Sequence, residues 1–198
     1  PKAVVLVVHG YAVHSGYYDE LAAQLINNGY AVYTIDHRGH GRSDGTRGLV
    51  LPMPTLANDL YAFLCEIRRE HAELPLFIFA HSLGSLIALT LLLAHQHEVA
   101  GVILSGNPLL IDQEATPLEI AVLPVLSRVA PNFIIRPADT RNLLSRDETV
   151  FQRAMSDPLR YLGGLRAGTA WALIDGVRGA RARIGVRCAA LMITSTRS

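Results

Sequence analysis

The sequence predicts an α/β fold, a mostly parallel sheet flanked by helices, on three observations. Short apolar runs rich in β-branched residues alternate with segments of helical spacing through the first 107 residues. The connections between them are short, as in successive βαβ units. Half of the 198 residues are apolar and 18% are charged, which supplies one sizeable core and excludes a disordered chain.

Residues 3–8 (AVVLVV) form a continuous apolar run, the pattern of a strand buried on both faces. Leu21, Leu25 and Ile26 carry helical spacing over residues 17–28, and Asn28-Gly29 stops that helix. Residues 30–35 make the second strand. Residues 55–71 make a helix with Leu56, Leu60, Phe63, Leu64 and Ile67 on one face. A strand follows at 76–79, a helix from 83 to about 94 and a strand at 99–104. Beyond Asn107 the rhythm breaks. Helical pieces punctuated by Pro117, Pro124, Pro131, Pro137 and Pro158 run to about Arg183 with no clear buried strand. The apolar run 188–193 returns to the sheet, and the fold's winding, with right-handed crossovers, places the five strands in the order second, first, third, fourth, fifth. The expected organisation is a core over 1–107, a helical cap or lid insertion over 108–183 and a return strand within 184–198.

Several functional classes drop out on composition. Lys plus Arg (18) against Asp plus Glu (17) leaves a net charge of +1, so no electrostatic footprint for nucleic acid exists. Cys65 and Cys188 make neither a disulfide framework nor a metal motif. The longest apolar stretch, 86–94, falls far short of the ~18 residues of a membrane span. No leader precedes the first strand, so a reducing, cytoplasmic setting is expected.

The chemistry concentrates at residues 77–85, FIFAHSLGS. A buried strand runs straight into Ser82, and a helix begins behind it with small residues on both sides. This is the setting of a nucleophile elbow, G-x-S-x-G, in which strand and helix must pass closely around a strained serine. Gly84 keeps the second glycine, and Ala80 replaces the first at the expense of one methyl. The competing use of a serine here is as a plain helix cap. Val8-His9-Gly10-Tyr11 ends the first strand, where such an enzyme draws a backbone N–H for its oxyanion hole. The two donors would be the N–H groups of Tyr11 and Leu83.

Residues 9–44 (HGYAVHSGYYDELAAQLINNGYAVYTIDHRGHGRSD), followed by AHSLGS, resemble the monoacylglycerol lipase and lysophospholipase branch of the α/β-hydrolases, a serine-aminopeptidase-like family. The resemblance is close over 1–107 and looser through 108–183. It implies an α/β-hydrolase fold with a helical cap and Ser82 as nucleophile. Tyr11 and Leu83 would form the oxyanion hole, and His9, Gly10, His81 and Gly84 would support elbow and loop. It implies carboxylic ester hydrolysis through an acyl-serine, with a small acyl ester such as a monoacylglycerol or lysophospholipid as substrate. No cofactor and no metal are expected. His37 to Ser43 (HRGHGRS) match the family's loop after the second strand and read as structural.

A serine nucleophile needs a base and an orienting acid, in the chain order Ser, Asp or Glu, His. After Ser82 come only His95 and His97, and at 1.5 Å per helical residue His95 sits about 20 Å away. His81 projects away from its neighbour, as adjacent residues of an extended chain do. The acid of the family falls just after the return strand, where this chain reads TSTRS, residues 194–198. Asp112, Asp139, Asp147, Asp157 and Asp175 fall in the insertion, as surface or capping residues. The chain therefore reads as an internal fragment lacking first strands and a C-terminal part, with at most very weak activity. Were a base present after all, His9 and His14 are the places to look. A native non-catalytic binding protein on the same fold is the alternative. The apolar segment 118–126 (LEIAVLPVL) suggests a lid that touches a lipid surface, or a helix packed on the core.

Overall fold

The computed structural model describes residues 1–109, 115–137, 147–183 and 189–193. In chain order the elements are β1 (Val4–Val8), a 3-10 turn (Ser15–Tyr18), α1 (Asp19–Asn27), β2 (Ala31–Ile35), α2 (Met53–Glu70), β3 (Leu76–His81) and α3 (Leu83–His95). A second 3-10 turn (Gln96–Glu98) leads to β4 (Gly101–Ser105), α4 (Pro117–Val129), β5 (Ile134–Arg136), α5 (Glu148–Met155), β6 (Leu165–Arg166), α6 (Ala167–Arg183) and β7 (Ala189–Ile193). Cys188, Asp112, Asp139 and the segment 194–198 lie outside the described residues.

The main sheet runs β2-β1-β3-β4-β7 with every neighbouring pair parallel, the order that right-handed crossovers dictate. Register is regular: Val8 pairs with Ile35 on one side and Ala80 on the other, so the ends of the three strands stand level. The functional loops leave from that level end, as in other open α/β sheets. One face of the sheet (Val4, Leu6, Val8, Leu76, Ile78, Ala80, Val102 and Leu104) packs against α2, α3 and α6 in a single core. α3 is apolar all round and buried from Leu83 to Leu89, which is why its sequence shows no amphipathic stripe.

Two features depart from the sequence reading. β5 and β6 form a small antiparallel pair inside the stretch expected to hold no strand; with three and two residues they are too short to show a period. The third strand, expected as a continuous buried run, alternates instead, with Phe77 on the second face 38% exposed. Among the described residues no helix is long and apolar enough to cross a membrane.

The tightest crossing in the core lies at Gly84. A Cβ placed there would stand 2.3 Å from the Val8 carbonyl oxygen and 2.6 Å from that of His9. The first turn of α3 therefore rests directly on the backbone at the end of β1. Gly84→Ala must push the helix off the strand, so it should lower unfolding stability by about 1–3 kcal/mol, the usual cost of overpacking. An unchanged denaturant midpoint would contradict the crossing.

Candidate active site

Ser82 sits between β3 and α3 with φ 51° and ψ −116°, a left-handed backbone that costs a non-glycine residue ~1–3 kcal/mol. Neighbouring hydrogen bonds enforce it. The Ser82 N–H donates to the Ser105 carbonyl at the end of β4 (2.9 Å). The fully buried Ser85 hydroxyl bridges the Ala80 and Ser105 carbonyls (2.9 and 3.2 Å). Ser82 occupies the N-cap position of α3, yet its side chain makes no capping bond. The plain-cap role is thus unfilled, and the hydroxyl has no partner among the described residues. Leu83 opens the helix, where N–H groups and the helix dipole both favour a negative charge.

The loop after β1 comes up against this turn. A Cβ on Gly10 would lie 3.3 Å from the Ser82 Cβ and 3.2 Å from the His81 ring. Gly10 is the residue that lets the loop close on the serine, and it carries Tyr11 with it. Neither the Tyr11 nor the Leu83 backbone N–H has an acceptor among the described residues. The His81 ring lies between Gly10 and Gly106, its Nδ1 3.3 Å from the Ser105 hydroxyl.

Family comparison bears on the same residues. A model of the serine aminopeptidase S33 hydrolases matches residues 1–197. The chain belongs to this hydrolase family. Its relatives include a monoacylglycerol lipase of Mycolicibacterium smegmatis, 33% identical over 88% of this chain and 62% of that protein. The human monoglyceride lipase is 34% identical over 84% of this chain and 55% of its own length. The chain thus spans somewhat over half the length of these relatives. Among solved structures, a monoacylglycerol lipase of Paleococcus ferrophilus superposes with a TM-score of 0.82 at 26% identity, over 96% of this chain and 71% of that one. The Saccharomyces cerevisiae monoglyceride lipase, solved with a substrate analogue, gives 0.72 at 25% identity, over 89% and 60%. The fold is that of the α/β-hydrolases, and the family is one of monoacylglycerol lipase-like serine hydrolases.

In this S33 chain the eight histidines are otherwise engaged, and none hydrogen-bonds Ser82. His9 is fully buried: its Nδ1–H donates to the Gly10 carbonyl (2.7 Å) and its Nε2 accepts the His37 N–H (2.9 Å). His37 returns a bond from Nε2–H to the His9 carbonyl (3.1 Å), and His40 donates from Nδ1 to the Arg38 carbonyl (3.1 Å). His14 accepts the Gly16 N–H at Nδ1 (3.1 Å) and gives its Nε2–H to Asp157 (2.7 Å). His9 and His14, the first places to look for a base, therefore have both ring nitrogens occupied. His95 stacks on Tyr61 at 3.6 Å between ring centroids.

The loop over residues 36–48 is held by its polar groups. Asp36 takes the N–H groups of Ser15 and Arg42, each at 2.8 Å. Gly41 has φ 51°, and a Cβ there would meet the Asp36 carboxylate at 2.1 Å, so only glycine fits. Three residues that matter escaped the sequence reading. Ser85 is a polar residue in the first turn of an otherwise largely apolar helix, which was a signal. Asp157 and Tyr161 meet the loop after β1 across more than 140 residues, with no local signal at all.

Burial, followed by the neighbouring imidazoles, pulls His9 well below its ordinary value, and burial brings His37 down to about 4. Burial lowers His40 as well. Folded-state values below the unfolded ~6.5 mean that the unfolded chain binds protons first as pH falls. Stability should be complete above about pH 6.5 and decline as pH drops toward 4. A His37→Gln variant, which keeps the Nε-side donor without the titration, should show a shallower decline in its unfolding midpoint. Equal slopes would contradict the assignment.

Proposed function

We propose that the protein is a serine ester hydrolase whose substrates are monoacylglycerols. The observation that carries this reading is Ser82, a strained serine with an unbonded hydroxyl, flanked by the unpaired N–H groups of Leu83 and Tyr11. In the proposed reaction the Ser82 Oγ adds to the ester carbonyl carbon, and the carbonyl electron pair moves onto oxygen. The Tyr11 and Leu83 N–H groups bind that oxyanion, a contribution for which one lost donor typically costs about 10²–10³ in kcat. Collapse breaks the C–O bond to glycerol, which leaves with the proton given up by the Ser82 hydroxyl, and water then splits the acyl-serine, releasing the fatty acid and restoring the hydroxyl. His9, Gly10, His81 and Gly84 support the loop and elbow. The choice of a monoacylglycerol is supported by the likeness to the mycobacterial monoacylglycerol lipase and the human monoglyceride lipase, both longer than this chain.

α4 adds a second part to the proposal. Leu118, Val122, Val125 and Val129 fall on one face of the helix and are 46–74% exposed, with Phe133 (59%) and Ile134 (50%) just beyond. We propose that this stripe meets the lipid surface from which an insoluble substrate is drawn. Arg128, exposed in the last turn of α4, stands beside it to face anionic headgroups.

Fatty-acid release from a dispersed monoacylglycerol by the full chain tests the first part. Ser82→Ala should remove the fatty-acid release that the wild-type chain shows, and unchanged release would sink it. For the second part, Leu118→Glu with Val125→Glu should weaken vesicle sedimentation while leaving hydrolysis of a soluble aryl ester intact. Undiminished vesicle binding would refute it.

A further inference from the structure

The loop that carries Tyr11 is gripped from the segment after α5. His14 reaches Asp157 through Nε2–H at 2.7 Å, while its Nδ1 accepts the Gly16 N–H at 3.1 Å and so fixes the tautomer. The other Asp157 oxygen accepts the Leu159 N–H (2.9 Å), which sets the carboxylate's direction. Four residues further on, the Tyr161 N–H donates to the Ala12 carbonyl (2.9 Å). Ala12 has φ 66°, a left-handed backbone that a non-glycine residue keeps only when its surroundings impose it. The Tyr17 ring packs edge-on against His14 at 5.0 Å, and the Tyr11 ring stands edge-on to Tyr161 at 6.1 Å. Arg47 ties the Leu159 carbonyl to that of Gly41 (3.3 and 2.6 Å), so the gripping segment is itself anchored to the loop after β2.

These contacts bracket Tyr11. Gly10 before it is pressed against Ser82, while Ala12 and His14 after it are held by Tyr161 and Asp157. An N–H can stabilise an oxyanion only if it is aimed in advance, and misplacement by about 1 Å can cost up to 10²-fold. We infer that Asp157 is a positioning residue for the reaction: through His14 it holds the loop that delivers the Tyr11 N–H to the oxyanion. The geometry of the acyl-transfer site is then tied to the placement of the segment following α5. This inference rests on the proposed roles of Ser82 and Tyr11.

The test uses the full chain, a soluble aryl ester and an alkyl trifluoromethyl ketone. Addition of the serine oxygen to that ketone places a negative charge on the former carbonyl oxygen, so its inhibition constant reports the oxyanion hole. Asp157→Ala should lower kcat by roughly 10- to 100-fold with KM nearly unchanged. Ketone inhibition should weaken by the same factor. Asp157→Asn keeps one acceptor oxygen and sets an amide N–H against either the His14 or the Leu159 donor, so it should recover only part of both. Should Asp157→Ala fail to fold, the His14 pair decides. His14→Asn keeps the acceptor toward Gly16 but loses Asp157, and should show the defect; His14→Gln keeps a donor toward Asp157 and should not. Wild-type kcat in Asp157→Ala, or a loss of kcat without weaker ketone inhibition, overturns the inference. So do equal activities in the two His14 variants. Ser82→Ala separates the failures: if it is inactive while Asp157→Ala is fully active, only the positioning role falls. Undiminished turnover in Ser82→Ala removes the reading beneath it.

Discussion

The closeness with which the first turn of α3 passes over the end of β1 sets the terms for everything around it. Gly84 lies against the Val8 and His9 carbonyls, and Gly10 lies against Ser82, so two chain segments meet with no side chain between them. A helix that close to a strand end leaves the connecting residue no room for an ordinary backbone. Ser82 takes φ 51° as a consequence. The strain is met by bonds that could not form otherwise: the Ser85 hydroxyl spans two carbonyls, and the Ser82 N–H reaches across to β4. The same approach places a helix N-terminus and a strand-end loop on either side of one hydroxyl. Steric necessity at a glycine thereby becomes electrostatic preorganisation at a serine.

Around this crossing the loops are stabilised by polar groups rather than by apolar packing. The imidazoles of His37 and His40 lie tilted against that of His9, at 4.1 and 5.6 Å between ring centroids, and burial keeps all three neutral. In that form each ring can donate from one nitrogen, and two of the donations go to backbone carbonyls of the loop beside Ser82. The carboxylate of Asp36 completes the arrangement by gathering two N–H groups from loops that leave different strands. Such a scaffold is rigid near neutrality and vulnerable to acid, because protonation would turn acceptors such as the His9 Nε2 into donors.

The sequence revealed most of this where the constraint is local. The apolar β-branched runs located the strands of the main sheet. The small residues at Ala80 and Gly84 exposed the elbow, and the His9-Gly10 pair marked the loop beside it. What stayed hidden depends on contacts between distant residues. Asp157 looks like any acidic residue before a proline, and only folding brings it to His14. β5 and β6 are too short for periodicity to register. The open second face at Phe77 could not be inferred, since an apolar residue in a strand reads the same whether or not a layer covers it.

The central claim is that Ser82 is the reacting serine, and covalent mapping tests it most directly. A fluorophosphonate acts on serines whose oxygen is activated and whose phosphoryl oxygen finds an oxyanion hole. After reaction with the full chain, digestion and fragment-ion sequencing should place a single adduct on Ser82 and none on Ser85 or Ser105. An adduct carried by another serine, or an esterase-active protein that leaves Ser82 unmodified, would contradict the account.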